Sequence, residues 1–194
     1  MPASQPDAVS AVAPGQEDRR SSAAASAHPL VLGIDPGLNV CGWGLVRGGP
    51  APTYIACGTI RPRPREPIGK RLLHLYDAVA ALIAEHEPEE VAVEEQFVGA
   101  LAPASALAIG QARAAAVLAA ARAGLEVAFY PPASIKSAVS GYGQGDKRQV
   151  QSMVRMLLRL PGDPKPADAA DALAVALAHL ASRRMAALAA GREV

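Results

Sequence analysis

Residues Val31-Leu32-Gly33-Ile34-Asp35-Pro36-Gly37 form an apolar run that drives straight into a carboxylate and then turns. A continuous apolar stretch of this length reads as a strand buried on both faces, as at the centre of an α/β sheet. Pro36 cannot continue a central ladder, so Asp35 belongs at the carboxyl edge of the sheet, where open α/β sheets place their chemistry. An unpaired buried carboxylate costs several kcal/mol, so Asp35 needs a partner or a cation. The competing reading is a plain turn cap, since Asp-Pro-Gly is good turn sequence.

The rest of the chain supplies further elements. Cys41 to Arg47 and Thr53 to Ile60 read as two strands joined by Gly48-Gly49-Pro50, giving an antiparallel meander with the first. Ile68 to His86 carries Leu72, Leu73, Leu75, Tyr76, Val79 and Leu82 at helical spacing, and Pro88 ends it. Val91 to Glu94 is a short buried strand that again ends in an acid. Ala104 to Ala123 is an Ala-rich helix containing Gly110; its small-residue face suits close packing within the chain or a dimer seam. A strand from Leu125 to Tyr130, a short helix over Ser134 to Val139, a helix from Lys147 to Leu160 and a last helix from Ala167 to Ala190 complete the chain. The short helix aside, the order is βββαβαβαα. A right-handed crossover makes the first and fourth strands parallel neighbours, which brings Asp35 beside Glu94. Glu95 adjoins Glu94 and the two point to opposite faces of a strand, so only one of them can join Asp35.

At 194 residues and 51% hydrophobic composition, one domain is expected. Residues 1–28, rich in Ala and Ser without a periodic apolar face, read as a disordered tail, and 29–194 as the folded domain. No signal peptide and no uncharged apolar span of about 18 residues is found, so a soluble, cytoplasmic protein is expected. Cys41 and Cys57, with no CxxC and no histidine to complete a zinc set, read as buried free thiols. The net charge is only +1, but Arg61, Arg63, Arg65, Lys70 and Arg71 cluster, as do, more loosely, Lys136, Lys147, Arg148, Arg155 and Arg159. An anionic polymer is one reading of these groups; ordinary solvated charge is the other.

Asp168 and Asp171 lie three residues apart at the start of the last helix, on one face. Acids in a first turn also stabilise a helix through its dipole, so either residue alone has a simpler explanation. Together with Asp35 and Glu94 they make a carboxylate set without Cys or His, which suits Mg²⁺ or Mn²⁺ better than Zn²⁺. Two such ions about 4 Å apart can activate a water and stabilise the leaving oxygen in phosphodiester cleavage.

Gly33-Ile34-Asp35-Pro36-Gly37, Val91-Ala92-Val93-Glu94-Glu95-Gln96-Phe97, Gly110-Gln111-Ala112-Arg113 and Asp168-Ala169-Ala170-Asp171-Ala172-Leu173-Ala174 closely resemble the motifs of the RuvC family of Holliday-junction resolvases. The resemblance runs from about Leu30 to Leu180. It implies an RNase H-like fold with a five-stranded mixed sheet flanked by helices, the first three strands antiparallel and strands one, four and five parallel. It further implies a homodimer that nicks four-way DNA junctions in pairs with Mg²⁺, two ions per site, leaving 3′-hydroxyl and 5′-phosphate ends, and that cooperates with the RuvA and RuvB branch-migration proteins. By that likeness Asp35, Glu94, Asp168 and Asp171 are the catalytic metal ligands, and Lys147 stands near the scissile phosphate. Phe97 matches an aromatic that stacks on bases near the junction centre, where a base face is worth roughly 1 to 3 kcal/mol. Lys136 matches a phosphate contact, and Arg148, beside Lys147, joins the DNA-binding candidates. The rival classes are another RNase H-like nuclease, a non-cleaving junction-binding protein, and an ATPase or sugar kinase of the actin-like superfamily, whose second phosphate loop is not found here.

Overall fold

The computed structural model describes residues 26–95, 102–141 and 146–191. Three strands come first: β1 (Leu30–Asp35), β2 (Cys41–Arg47) and β3 (Thr53–Ile60). They are followed by α1 (Ile68–His86), β4 (Glu90–Glu94), α2 (Pro103–Arg122), β5 (Val127–Tyr130), α3 (Pro132–Ser140), α4 (Lys147–Leu157) and α5 (Ala167–Ala189). The sheet order is β3-β2-β1-β4-β5. β1, β2 and β3 pair antiparallel, while β1 pairs with β4 and β4 with β5 in parallel, the mixed topology expected.

β1 is central, and its apolar run is covered on both sides. Leu30, Leu32 and Ile34 join Val91 and Val93 of β4 in a core shared with Leu75, Val79 and Ile83 of α1 and the alanines of α2. Val31 and Ala92 face the other way, into a second core with α3, α4 and α5. The small residues of α2 that are buried, Ala112, Ala115, Ala116, Ala119 and Ala120, therefore serve close packing inside the chain. Gly110 does not: a side chain there would meet nothing within 4 Å.

α5 lies directly on the backbone of β1 and β2. A Cβ on Gly33 would fall 2.2 Å from the Ala172 carbonyl oxygen, and one on Gly42 would fall 2.0 Å from that of Asp168. Only glycine admits a helix backbone this near a strand. Both α2 and α5 are long and apolar enough in composition to cross a membrane; from Ala172 to Ala178, however, every residue of α5 is buried in the second core or beside it, as in the central helix of a folded domain.

Three element ends differ from the sequence reading. β5 begins at Val127 rather than Leu125, because the Leu125 amide is taken up in capping α2, bonding Ala120 O at 3.0 Å across the left-handed Gly124. α4 stops at Leu157 rather than Leu160. Arg159 adopts φ 52° and the Leu160 amide returns to Arg155 O at 2.9 Å, so a left-handed cap ends the helix before Pro161 can. The short helix α3 is longer than expected, with Pro132 in its first turn, and is a full element of the order βββαβαβααα. The N-terminal residues 1–25 lie outside the described residues. Of the two cysteines, both free, Cys41 is buried as expected while Cys57 is only partly covered.

Candidate active site

Each acid reaches the site by a local rule. Residues of one strand alternate between faces. Gly33 pairs with Ala92 on the α5 side, so the next such positions, Asp35 and Glu94, stand at the carboxyl ends of neighbouring parallel strands on that same side. Gly42 pairs with Asp35 across the antiparallel ladder, and its bare backbone leaves room for the first turn of α5. That turn carries Asp168, and Asp171 follows one turn on. The N-cap of α5 is Pro166, which has no capping side chain, and Asp168 in the first turn also meets the positive end of the helix dipole. Glu95 points the other way, 3.6 Å from Arg113 of α2.

All four acids line one cavity of about 440 Å³, together with Lys136, Lys147, Pro132, Ile135, Val150 and Ala174. Burial, then the charges of Asp171 and Asp168, pushes Asp35 up to about 6. Burial, then Asp35, pushes Glu94 up to about 8. The two carboxyls are hydrogen-bonded to each other, and the one held more strongly protonated, Glu94, is the donor. Lys147 Nζ sits 2.6 Å from Asp171 Oδ2, and that hydrogen bond raises the lysine's own affinity for its proton. Cys41, just beneath, is pushed up to about 12 by burial and stays a thiol.

These are the marks of a cavity with surplus negative charge. Its donors are carboxylate oxygens alone, the set a hard divalent cation prefers. Among the described residues no three Asp, Glu, His or Cys side chains converge closely enough to chelate one ion. The acids line the walls instead, with the Lys147 ammonium answering part of their charge. The residues fit such an ion in chemistry, with four carboxylates around one cavity, and binding would have to displace the proton that the raised Glu94 retains.

Of the other site candidates, Lys136 on α3 lines the cavity. Arg148 is exposed in the first turn of α4, outside the cavity lining. Phe97 lies outside the described residues. Arg63 pairs with Glu66, Arg71 with Asn39 and the Leu38 carbonyl, and Arg155 with Asp163, so part of both basic groups is engaged in local structure. The sequence reading passed over the role of Gly33 and Gly42. Its legible signal was two glycines in strands that otherwise read as core, each a place where a backbone approaches closely.

The family model for crossover junction endodeoxyribonuclease RuvC matches residues 31–179. The chain is 50% identical over 155 residues to crossover junction endodeoxyribonuclease RuvC of Maricaulis maris, covering 79% of this chain and 92% of that protein. It is 51% identical over 153 residues to the protein of the same name from Alkalilimnicola ehrlichii, covering 78% and 91%. Among solved structures, Thermus thermophilus RuvC in complex with a Holliday junction substrate superposes with TM-score 0.78 at 37% identity, covering 82% of this chain and 97% of that one. The yeast mitochondrial Holliday junction resolvase Ydc2 shares the fold, with TM-score 0.56 at 12% identity. The carboxylates at the sheet's edge thus sit in a chain that belongs to the crossover junction endodeoxyribonuclease RuvC family.

Proposed function

We infer that this protein is a structure-selective endodeoxyribonuclease that resolves Holliday junctions in DNA recombination and repair. The observation that carries the reading is the convergence of Asp35, Glu94, Asp168 and Asp171 on one cavity, within a chain half identical to crossover junction endodeoxyribonucleases. The Thermus relative bound to a Holliday junction supports four-way DNA as the substrate.

The four acids would hold Mg²⁺, two ions per site, with Mn²⁺ as a substitute; bound there, the ions supply activation of water and stabilisation of the leaving oxygen. The chain's own groups do the rest. Asp35 and Glu94, side by side on neighbouring strands, would hold the ions together with Asp168 and Asp171, and both must be ionised before the site is competent. Lys147 offers an ammonium to a non-bridging phosphate oxygen, where fixed positive charge favours the developing negative charge. Lys136 of α3, which also lines the cavity, holds a neighbouring phosphate without reading sequence. Arg148 and Phe97 extend the DNA surface, the first by charge and the second by stacking on an unpaired base. Hydrolysis by this route leaves 3′-hydroxyl and 5′-phosphate ends.

Productive resolution needs two matched cuts, and an isologous homodimer supplies two related sites. The outer face of α2, with Gly110, Leu107 and Leu118 open, is the candidate seam. RuvA and RuvB are the expected partners in branch migration, in the cytoplasm, and residues 29–194 are the nuclease domain behind a tail of 28 residues.

Labelled four-way junction, linear duplex and RNA-DNA hybrid, each with Mg²⁺ and with EDTA, test the reading. Paired nicks confined to the junction and dependent on Mg²⁺ are expected. Hybrid cut as readily as junction would sink the resolvase assignment, and junction binding without nicks would favour the non-cleaving alternative.

A further inference from the structure

Beyond Asp171, α5 carries a second polar set. His179 is only 8% exposed, and its Nε2 lies 2.6 Å from Glu90 Oε2 at the start of β4. Tyr130, the register partner of Glu94 at the carboxyl end of β5, brings its hydroxyl 2.8 Å from His179 Nδ1, with the two rings edge to face, and so links the acid end of the sheet to the His179 set. Arg183, one turn further along α5, binds the other Glu90 oxygen and reaches the Ser26 carbonyl at 3.3 Å. Glu90, His179 and Arg183 line a separate hollow of about 290 Å³, at the end of β4 away from the acids. None of the four residues lines the active-site cavity.

A half-buried ion-pair cluster is a weak source of net stability, since well-packed apolar residues of similar volume often do as well. Its geometry is more informative. From Asp171 to His179 the helix climbs eight residues, about 12 Å. From Glu94 back to Glu90 the strand spans four residues, about 13 Å. The helix and strand are thus pinned to each other at one end, and present their acids to each other at the other, over equal lengths. Elsewhere α5 meets β1 and β2 through the close approach at Gly33 and Gly42, through Leu173 seated against Gly44, and through Val175 and Leu177 in the second core. That apolar packing holds the helix close, and the polar cluster adds to it the only directional side-chain bonds from α5 to β4 and β5 among the described residues.

We propose that Glu90, His179 and Tyr130 are positioning residues that lock the axial register of α5 against β4 and β5, and so set where Asp168 and Asp171 stand relative to Glu94. The proposal rests on the reading of those acids as metal ligands of a junction nuclease. Arg183 braces Glu90 from behind.

The test compares His179→Leu, His179→Gln and Tyr130→Phe with the parent in four measurements: Mn²⁺ affinity by calorimetry without DNA, single-turnover junction cleavage, junction affinity in EDTA, and thermal unfolding. His179→Leu fills the space but cannot bond Glu90; it should weaken Mn²⁺ binding and slow cleavage, each roughly tenfold, since a full ångström of displacement at a reacting centre costs up to about a hundredfold and a fraction of that is expected here. Junction affinity in EDTA should be unchanged. His179→Gln retains a donor toward Glu90 and should recover most of both losses, whatever its effect on melting temperature. A folded His179→Leu protein that binds Mn²⁺ and cuts like the parent, or a His179→Gln protein no better than His179→Leu, overturns the proposal. Should His179→Leu fail to fold, Tyr130→Phe decides: it removes one oxygen, and unaltered Mn²⁺ affinity there overturns the clamp. A parent that did not cut junctions would remove the functional reading, while its Mn²⁺ affinity against the variants' would still decide the clamp.

Discussion

Asp35 and Glu94 hold their protons more tightly in the folded protein than in an unfolded chain, where they titrate near 3.8 and 4.5. An acid shifted in this direction subtracts stability as it is forced to ionise. In EDTA the melting temperature should therefore fall as pH rises from about 4 to about 8, the interval between the unfolded values and the folded values of about 6 and 8. Mg²⁺ should restore more at pH 8 than at pH 5, and a melting temperature in EDTA that climbs through this range would contradict the burial of the pair. Asp35→Asn removes the charge without changing the shape; it should abolish cutting, leave junction binding intact and raise the metal-free melting temperature at pH 8. Glu94→Gln should likewise abolish cutting. Its neighbour is a sharp control: Glu95 faces Arg113 rather than the cavity, so Glu95→Gln should leave nicking close to the parent rate and cost no more than about 1 kcal/mol of stability. Equal losses from the two variants would mean that the strand phase is wrong.

The acids work as a set only because α5 can lie on bare backbone. Gly42 pairs with Asp35 and sits beneath Asp168, so its missing side chain is what lets the helix bring its first turn to the strand end. Gly42→Ala places a methyl carbon 2.0 Å from the Asp168 carbonyl oxygen, and α5 must move outward to take it. Overpacking of this kind typically costs about 1 to 3 kcal/mol. Denaturant unfolding should register a loss of that size, and single-turnover cleavage should fall more steeply than stability, because the displaced turn carries Asp168, one of the four acids lining the cavity. A variant that lost the stability but cut at the parent rate would show that the helix position is not critical. The same comparison on Gly110→Ala is instructive: a methyl there meets nothing within the chain, so stability of the single chain should not suffer.

Over the whole molecule, two half-open faces stand out: the cavity at the carboxyl edge of the sheet and the outer side of α2. Leu107 and Leu118 are 63% and 62% exposed on that helix, more than their size favours in water. If they close a dimer, Leu118→Glu should shift sedimentation to the single-chain mass and convert paired cuts into isolated nicks, while each chain remains folded. Much of this architecture was legible from residues alone. The apolar run into Asp35, its echo at Glu94 and the acid pair opening an alanine-rich helix identify strands by period and burial, and carboxylates in apolar company announce a shared site. The ends of β5 and α4 were not legible, since Leu125 and Leu158 look like strand and helix but the chain closes its helix ends there with left-handed caps at Gly124 and Arg159. Local sequence by itself determined which elements form and which acids lie at their ends, because periodicity and turn chemistry act over a few residues. Only tertiary structure decided that Asp35 raises the affinity of Glu94 for its proton, that Lys147 answers Asp171, and that His179 of α5 meets Glu90. Each of these joins residues far apart in the chain, and their energies exist only once the sheet and the helix have excluded water between them.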